Sequence, residues 1–208
     1  MKENVINDFS AVIWDYDGVI LDSNDVREYG FRHCLKSFPK DQVEKLIDYH
    51  NLNGGLSRFH KFRYFFEVIR GESISDDTVN ALSSDFSEIM RTELTNTNRL
   101  YETALALIES IKKRRRKQFI ASGSEQNELR FLLSEQGIAG YFDGIYGSPT
   151  TKSDIVSMIL KENPGENSWC LIGDSINDFD AAKENNIFFI GVRNENLRTQ
   201  SDFYEHNW

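Results

Sequence analysis

Four short apolar runs, separated by stretches of helical periodicity, limit what this chain can fold into. They are AVIW (11–14), QFIA (118–121), WCLI (169–172) and IFFIGV (187–192), with a weaker one near Ile145. Runs of this length with little polar alternation read as strands buried on both faces. Between them, Ala104, Leu107, Ile108 and Ile111 share one helix face. Leu129, Leu132 and Leu133 share a second, and Ile155, Val156 and Ile159 a third. Gly137 and the pair Pro164-Gly165 stop two of these helices. Ser175 reads as the cap of another helix running through Ala182. Strand–helix alternation of this kind predicts a three-layer, Rossmann-like α/β fold with a parallel sheet at its centre.

The interval between the first and second runs is different. It carries helical spacing without a strand pair and predicts an inserted helical domain of roughly seventy residues. The expected division is a core of residues 1–23 and 96–208 with a helical cap at 24–95. A length of 208 residues suits a core with one smaller insertion. A net charge of −9 argues against a nucleic-acid-binding face but leaves room for a small anionic substrate in a locally positive site. No apolar run has the length of a membrane span, and the polar N-terminus lacks a signal-peptide core, so a cytoplasmic protein is expected. Cys34 and Cys170 stand far apart and read as small apolar residues rather than a disulfide. His33, His50, His60 and His206 form no ligand pair, so no zinc site is expected.

Ligands of open parallel sheets bind at the carboxyl ends of the strands. There the chain places Asp15 and Asp17 after the first run, and Ser122, Gly123 and Ser124 after the second. Gly173, Asp174, Ser175 and Asp178 follow the run WCLI, and Lys152 starts the helix before it. Wound as predicted, the sheet brings these residues to one rim. The set suits phosphoryl transfer assisted by Mg²⁺, which prefers carboxylate, carbonyl and water oxygens. A carboxylate can also serve as nucleophile through an aspartyl-phosphate. With Asp15, Asp174 and Asp178 ionised and Asp17 protonated, Mg²⁺ and Lys152 would offset the crowded charge.

These residues resemble the four motifs of the haloacid-dehalogenase-like superfamily. DYDGVILDS resembles its first motif, DxDGT/V, and FIASGS its second. Lys152 in SPTTKSDIV resembles the third-motif lysine, and CLIGDSINDFDAA the fourth motif, GDSxxD. The helical segment is similar to the C1-type cap of phosphoglycolate-phosphatase-like members. The resemblance implies that Asp15 is nucleophile and Mg²⁺ ligand. It implies that Asp17 is general acid and then base, its carbonyl also touching the metal. Ser122 and the Gly123 amide would bind phosphate, Lys152 would neutralise transition-state charge, and Asp174 and Asp178 would complete the metal site. The implied activity is a Mg²⁺-dependent phosphatase acting on a small phosphorylated metabolite. Asp17 favours phosphate chemistry over carbon–halogen cleavage. The alternatives are a phosphoglucomutase-like phosphotransferase and a non-catalytic binding module on the same fold.

Plainer readings stand beside these. Asp is common where strands turn, Ser124 could cap a helix, and Asp178 could be an ordinary first-turn acid. Lys152 at a helix start opposes the helix dipole, which favours a special role. In the stretch Gly54 to Phe66, Gly55 frees the backbone and Ser57 can cap a helix. Arg58 and Lys61 share a face, and with Gly55 they are candidate substrate contacts. The plainer alternative is a solvated basic face opposite a core stripe of Phe59, Phe62, Phe66 and Ile69. The basic run KKRRRK (112–117) precedes the second strand, so it belongs to the far rim, roughly 15 Å from Ser122 at ~3.3 Å per residue. Asp22 reads as a hinge or turn contact, and the C-terminal tail as loosely ordered.

Overall fold

In this computed structural model, which describes residues 3–206 and 208, the run AVIW becomes a strand in which every residue is buried. The strands are β1 (Ala11–Trp14), β2 (Lys117–Glu125), β3 (Gly144–Ser148), β4 (Trp169–Gly173), β5 (Phe188–Val192) and β6 (Phe203–Glu205). Among the described residues they form one six-stranded sheet in the order β3-β2-β1-β4-β5-β6. All neighbours are parallel, and Ile13 of β1 lies opposite Phe119 on one side and Leu171 on the other. The winding therefore reverses beside β1, and the carboxyl ends of β1 and β4 flank a topological switch point.

Alternate residues of β1 feed two cores. Val12 and Trp14 pack with Leu107 and Ile108 of α6 (Glu102–Lys113) and Leu132 of α7 (Gln126–Glu135). Ala11 and Ile13 pack with Ile155 and Ile159 of α8 (Lys152–Glu162) and Ala181 of α9 (Ile176–Glu184). The helix faces read from the sequence are the buried ones. A short helix α1 (Glu3–Ile6) precedes β1.

Between β1 and β2 the chain forms a helical insertion. It contains α2 (Asn24–Cys34), α3 (Lys40–Leu52), α4 (Arg58–Tyr64) and α5 (Asp76–Glu93), and α4 continues as a π-helical turn, Phe65–Arg70. An aromatic cluster holds it together: Phe31 lies 4.6 Å from Phe86 and 5.3 Å from Phe62, ring centre to ring centre. The two crossings into the insertion run side by side. Leu21 bridges to Leu100, and the amide of Asp22 donates to the Arg99 carbonyl at 2.8 Å. Asp22 thus sits in the paired crossings, with its main chain doing the joining.

Two features depart from the sequence reading, and a third adds to it. β2 runs on through Ser122–Glu125 after a register shift against β3, because small residues there let the strand continue beyond its apolar part. The tail is ordered: β6 pairs with β5, and Trp208 Nε1 donates to the Val19 carbonyl at 2.7 Å. Its strand has only three residues, too few to show a periodicity. The basic run fastens the N-terminal segment: Arg116 donates to the carbonyls of Ile6 and Phe9. Cys34 and Cys170 are free thiols, and no helix among the described residues is long and apolar enough to cross a membrane.

Leu132 is fully buried where α7 meets the sheet. Leu132→Ala should lower stability by about 2–5 kcal/mol, read as a reduced urea midpoint with an unchanged slope.

Candidate active site

The chain leaves β1 at Asp15 and turns sharply at Gly18, whose φ is +76°. A Cβ on Gly18 would stand 2.0 Å from Asp174 Oδ2, so the glycine lets the turn pass beneath the carboxylate that follows β4. Asp174 and Asp178 come from the β4–α9 junction. Ser175 caps α9, and Asp178 closes a capping box by accepting from the Ser175 amide at 3.0 Å and hydroxyl at 2.6 Å. Lys152, the first residue of α8, is buried between Asp15 (2.9 Å) and Asp178, which also accepts from its ammonium. That double pairing outweighs its unfavourable position against the helix dipole.

Asp15, Asp174 and Asp178 each place a carboxylate oxygen within 4.8 Å of the others. Burial, then the charge of Asp178, push the Asp15 carboxyl up to about 7 against the pull of Lys152. Burial and the charges of Asp15 and Asp178 raise Asp174 as well. Three converging carboxylates, Asp15 and Asp178 buried and Asp174 half-buried, with one lysine among them, make a donor set suited to a hard divalent cation.

Asp17 belongs to a different network. Its Oδ1 accepts from Ser23 Oγ at 2.6 Å and from Arg27 Nε at 2.8 Å, and its Oδ2 accepts from Ser124 Oγ at 2.5 Å. Burial opposes its charge, but Arg27 and the two hydroxyls overcome this and hold the carboxyl below the ordinary aspartate range. Its neighbours thus favour the ionised form of Asp17, whereas burial works against the charge on Asp15 and Asp174. For Asp17 the reason is a cation from α2, which the strand motif alone does not reveal.

Arg27 continues to Glu128 of α7 at 3.2 Å, and Glu128 also accepts from Arg58 of α4, 2.8 Å to Nη2. Burial acts against the Glu128 charge, yet Arg58 and Arg27 hold its carboxyl below the usual range. Arg58 is further occupied by Ser87 at 2.8 Å and lies over the Phe86 ring. Lys61 sits beside it, 2% exposed, with its ammonium 2.8 Å from His50 Nδ1. The solvated basic face is overturned, whereas the core stripe holds: Phe62 and Phe66 are buried, and Phe59 and Ile69 pack half-buried against them. Arg58, Lys61 and Phe62 are buried together, because α4 is enclosed by its neighbours on more than one side.

Ser122 is buried, and its Oγ accepts from the Ser124 amide at 3.1 Å. The helix after β2 is capped by Glu125 rather than Ser124. Gly123 and Gly55 form the close contact between core and insertion: a Cβ on Gly123 would lie 2.3 Å from the Gly55 carbonyl oxygen. A cleft of about 370 Å³ opens between the two parts. It is lined by Asp15, Asp17, Ser122 and Asp174 from the core and by Arg27, His50, Gly55, Arg58 and Lys61 from the insertion. Every candidate site residue named from the sequence lines this cleft or, for Lys152 and Asp178, packs directly behind Asp15.

Ser23, Arg27, His50 and Glu128 were not named as site residues from the sequence, and Ser124 was placed at the rim without its bond to Asp17. Arg27 and Glu128 carried a signal nonetheless: each is a charge on the apolar stripe of its helix, beside Val26 and Phe31 and beside Leu129 and Leu132. Such a charge is stable only with a buried partner.

The chain belongs to the haloacid dehalogenase-like hydrolase family, whose model matches residues 12–192. No curated protein sequence matches it. The fold is similar to that of a β-phosphoglucomutase from Clostridium difficile, with TM-score 0.76 and 20% identity over 95% of this chain and 91% of the other. A predicted phosphatase from Clostridium acetobutylicum has TM-score 0.72 and 20% identity, covering 94% and 93% of the two chains. A predicted phosphoglycolate phosphatase from Haemophilus somnus 129pt has TM-score 0.70 and 16% identity, covering 94% and 93%.

Removing the Glu128 charge leaves Arg58 and Arg27 short of a counter-ion in a buried place. Glu128→Gln should destabilise by about 3–5 kcal/mol in urea unfolding near neutral pH. The wild-type pairing is complete above the ordinary glutamate range and fades as pH falls through the lowered folded value. The stability difference between the two proteins should shrink over that acid interval.

Proposed function

We propose that this protein is a Mg²⁺-dependent phosphomonoesterase acting on a small phosphorylated metabolite through an aspartyl-phosphate. The observation that carries the reading is the pairing of two unlike carboxylates after β1. Asp15 is fixed by Lys152 beside the acid cluster, while Asp17 faces the cleft in its own hydrogen-bonded network. Asp15 attacks phosphorus, and Lys152 balances the negative charge that builds up there. Asp15, Asp174, Asp178 and the carbonyl of Asp17 would hold Mg²⁺, which when bound supplies charge neutralisation for the phosphate oxygens. Ser122 and the Gly123 amide hold the phosphate.

Asp17 gives a proton to the leaving oxygen and then takes one from the water that attacks the aspartyl-phosphate. Its ionised state against Arg27 suits the second step. An arriving phosphate adds negative charge and competes for Arg27, which raises the Asp17 carboxyl toward the protonated state that the first step needs.

Residues 24–95 act as a cap on a core of 1–23 and 96–208, hinged at the paired crossings near Asp22 and Arg99. Closure at Gly55 and Gly123 excludes water from the cleft. The separated free thiols suit the cytoplasm. A phosphoglucomutase-like phosphotransferase is the second reading, favoured by the fold likeness to the Clostridium difficile mutase. It would interconvert phosphate isomers with little net phosphate release. A binding module needs no nucleophile–acid pair and would show ligand-dependent melting without turnover.

Phosphate release should depend on Mg²⁺ and stop with a chelator, across a panel of sugar phosphates and phosphorylated acids. Asp15→Asn should abolish it, and Asp17→Asn should lower kcat by about 10²–10⁴-fold. Equal turnover by Asp15→Asn would remove the nucleophile assignment.

A further inference from the structure

Lys61 is a buried cation that the chemistry above does not use. Its ammonium is bonded to His50 Nδ1 at 2.8 Å and to the Gly54 carbonyl at 3.2 Å. Both are neutral acceptors: burial, reinforced by Lys61 itself, pushes the His50 pKa down to about 2. Among the described residues no carboxylate forms an ion pair with Lys61. Burial and the nearby Arg27 accordingly pull its pKa down to about 7. A lysine held this way lacks only an anion.

The surroundings point the same way. Arg27 is 6% exposed, and its Nη2 has no hydrogen-bond partner. Arg27, His50 and Lys61 all line the same cleft, on the side of the insertion, with the rings of Phe31 and Phe86 as walls. Asp17 and Glu128 are taken up by Arg27 and Arg58, while Lys61, close enough to feel Asp17, Arg27 and Arg58, forms no ion pair with either carboxylate. Arg58 is satisfied by Glu128 and Ser87, so the surplus charge belongs to Lys61 and the surplus donor to Arg27. Fully buried polar groups are ordinarily paired, and two unmet demands on one wall of a ligand cleft define the shape of what enters it.

We propose that the substrate carries, besides its reacting phosphate, a second anionic group, carboxylate or phosphate, that pairs with Lys61 and the free Nη2 of Arg27. His50 orients the Lys61 ammonium toward that group, and Lys61 selects doubly charged substrates over singly charged ones. This takes the substrate class from the phosphatase reading but can be tested by binding alone.

The test uses full-length protein carrying Asp15→Asn, with Mg²⁺, and calorimetric titration of two probe pairs. Phosphoglycerate against glycerol phosphate differs by a carboxylate, and fructose bisphosphate against fructose phosphate differs by a phosphate. In at least one pair the doubly charged probe should bind about tenfold or more tighter, as a charge-assisted contact in a buried site provides. The favoured pair identifies the anion. Adding Lys61→Met should bring the affinity ratio close to one, and Lys61→Gln should do the same.

Lys61→Met should melt no lower than its parent, since an apolar chain replaces a buried charge. A ratio that survives both Lys61 substitutions would overturn the proposal, as would the absence of any preference in either pair. Unfolding of both variants would show that Lys61 supports the helices rather than a ligand, and would overturn it equally. If the wild type releases no phosphate from any probe while the ratios behave as expected, the phosphatase reading fails and the anion subsite stands.

Discussion

Four carboxylates meet where β1 and β4 end: Asp15 and Asp178 are buried, and Asp17 and Asp174 are half-buried at the cleft. Burial and mutual repulsion both act against that crowding. The rest of the site follows from how the crowding is relieved. Lys152 enters between Asp15 and Asp178 from the start of α8, and Arg27 reaches Asp17 from α2. The two compensations differ in origin, one from the core and one from the helical insertion. The carboxyls consequently separate: Asp15 is raised toward neutrality while Asp17 is held ionised.

Because Arg27 belongs to the insertion, the position of the helices and the charge state of Asp17 are tied together. Glu128 extends the tie, binding Arg27 and Arg58 and so linking α2 and α4 to α7 of the core. The backbones of Gly55 and Gly123 add a steric contact at the same seam, where no side chain would fit. Electrostatics and packing thus act on one surface. Movement of the insertion would expose the cleft and free Arg27 from Asp17 together.

Most of this architecture was legible from particular residues. The apolar runs located five of the six strands, and stripes such as Ala104–Leu107–Ile108–Ile111 named the buried helix faces correctly. Motif spacing brought Asp15, Asp174 and Asp178 together and put Ser122 in the same cleft. Of the two readings of Arg58 and Lys61, the solvated face failed, because charged residues at helical spacing look solvated unless a neighbour is known to cover them. Here Phe31 of α2 and His50 of α3 lie against Lys61, and Phe86 of α5 lies against Arg58. The strand at Phe203–Glu205 was missed because three residues carry no period, and its stability comes from pairing with β5.

The sequence by itself determined the α/β class, the helical insertion after the first strand and the family, because periodicity and motif order are local or ordered along the chain. Only the tertiary structure decided which charges share a partner. The Arg27–Asp17 and Arg58–Glu128 pairs join residues from separate helices and strands, and Lys61 is left among neutral acceptors. Pairing of buried charges depends on distances of a few ångströms between segments remote in sequence, and no pattern along one segment encodes it.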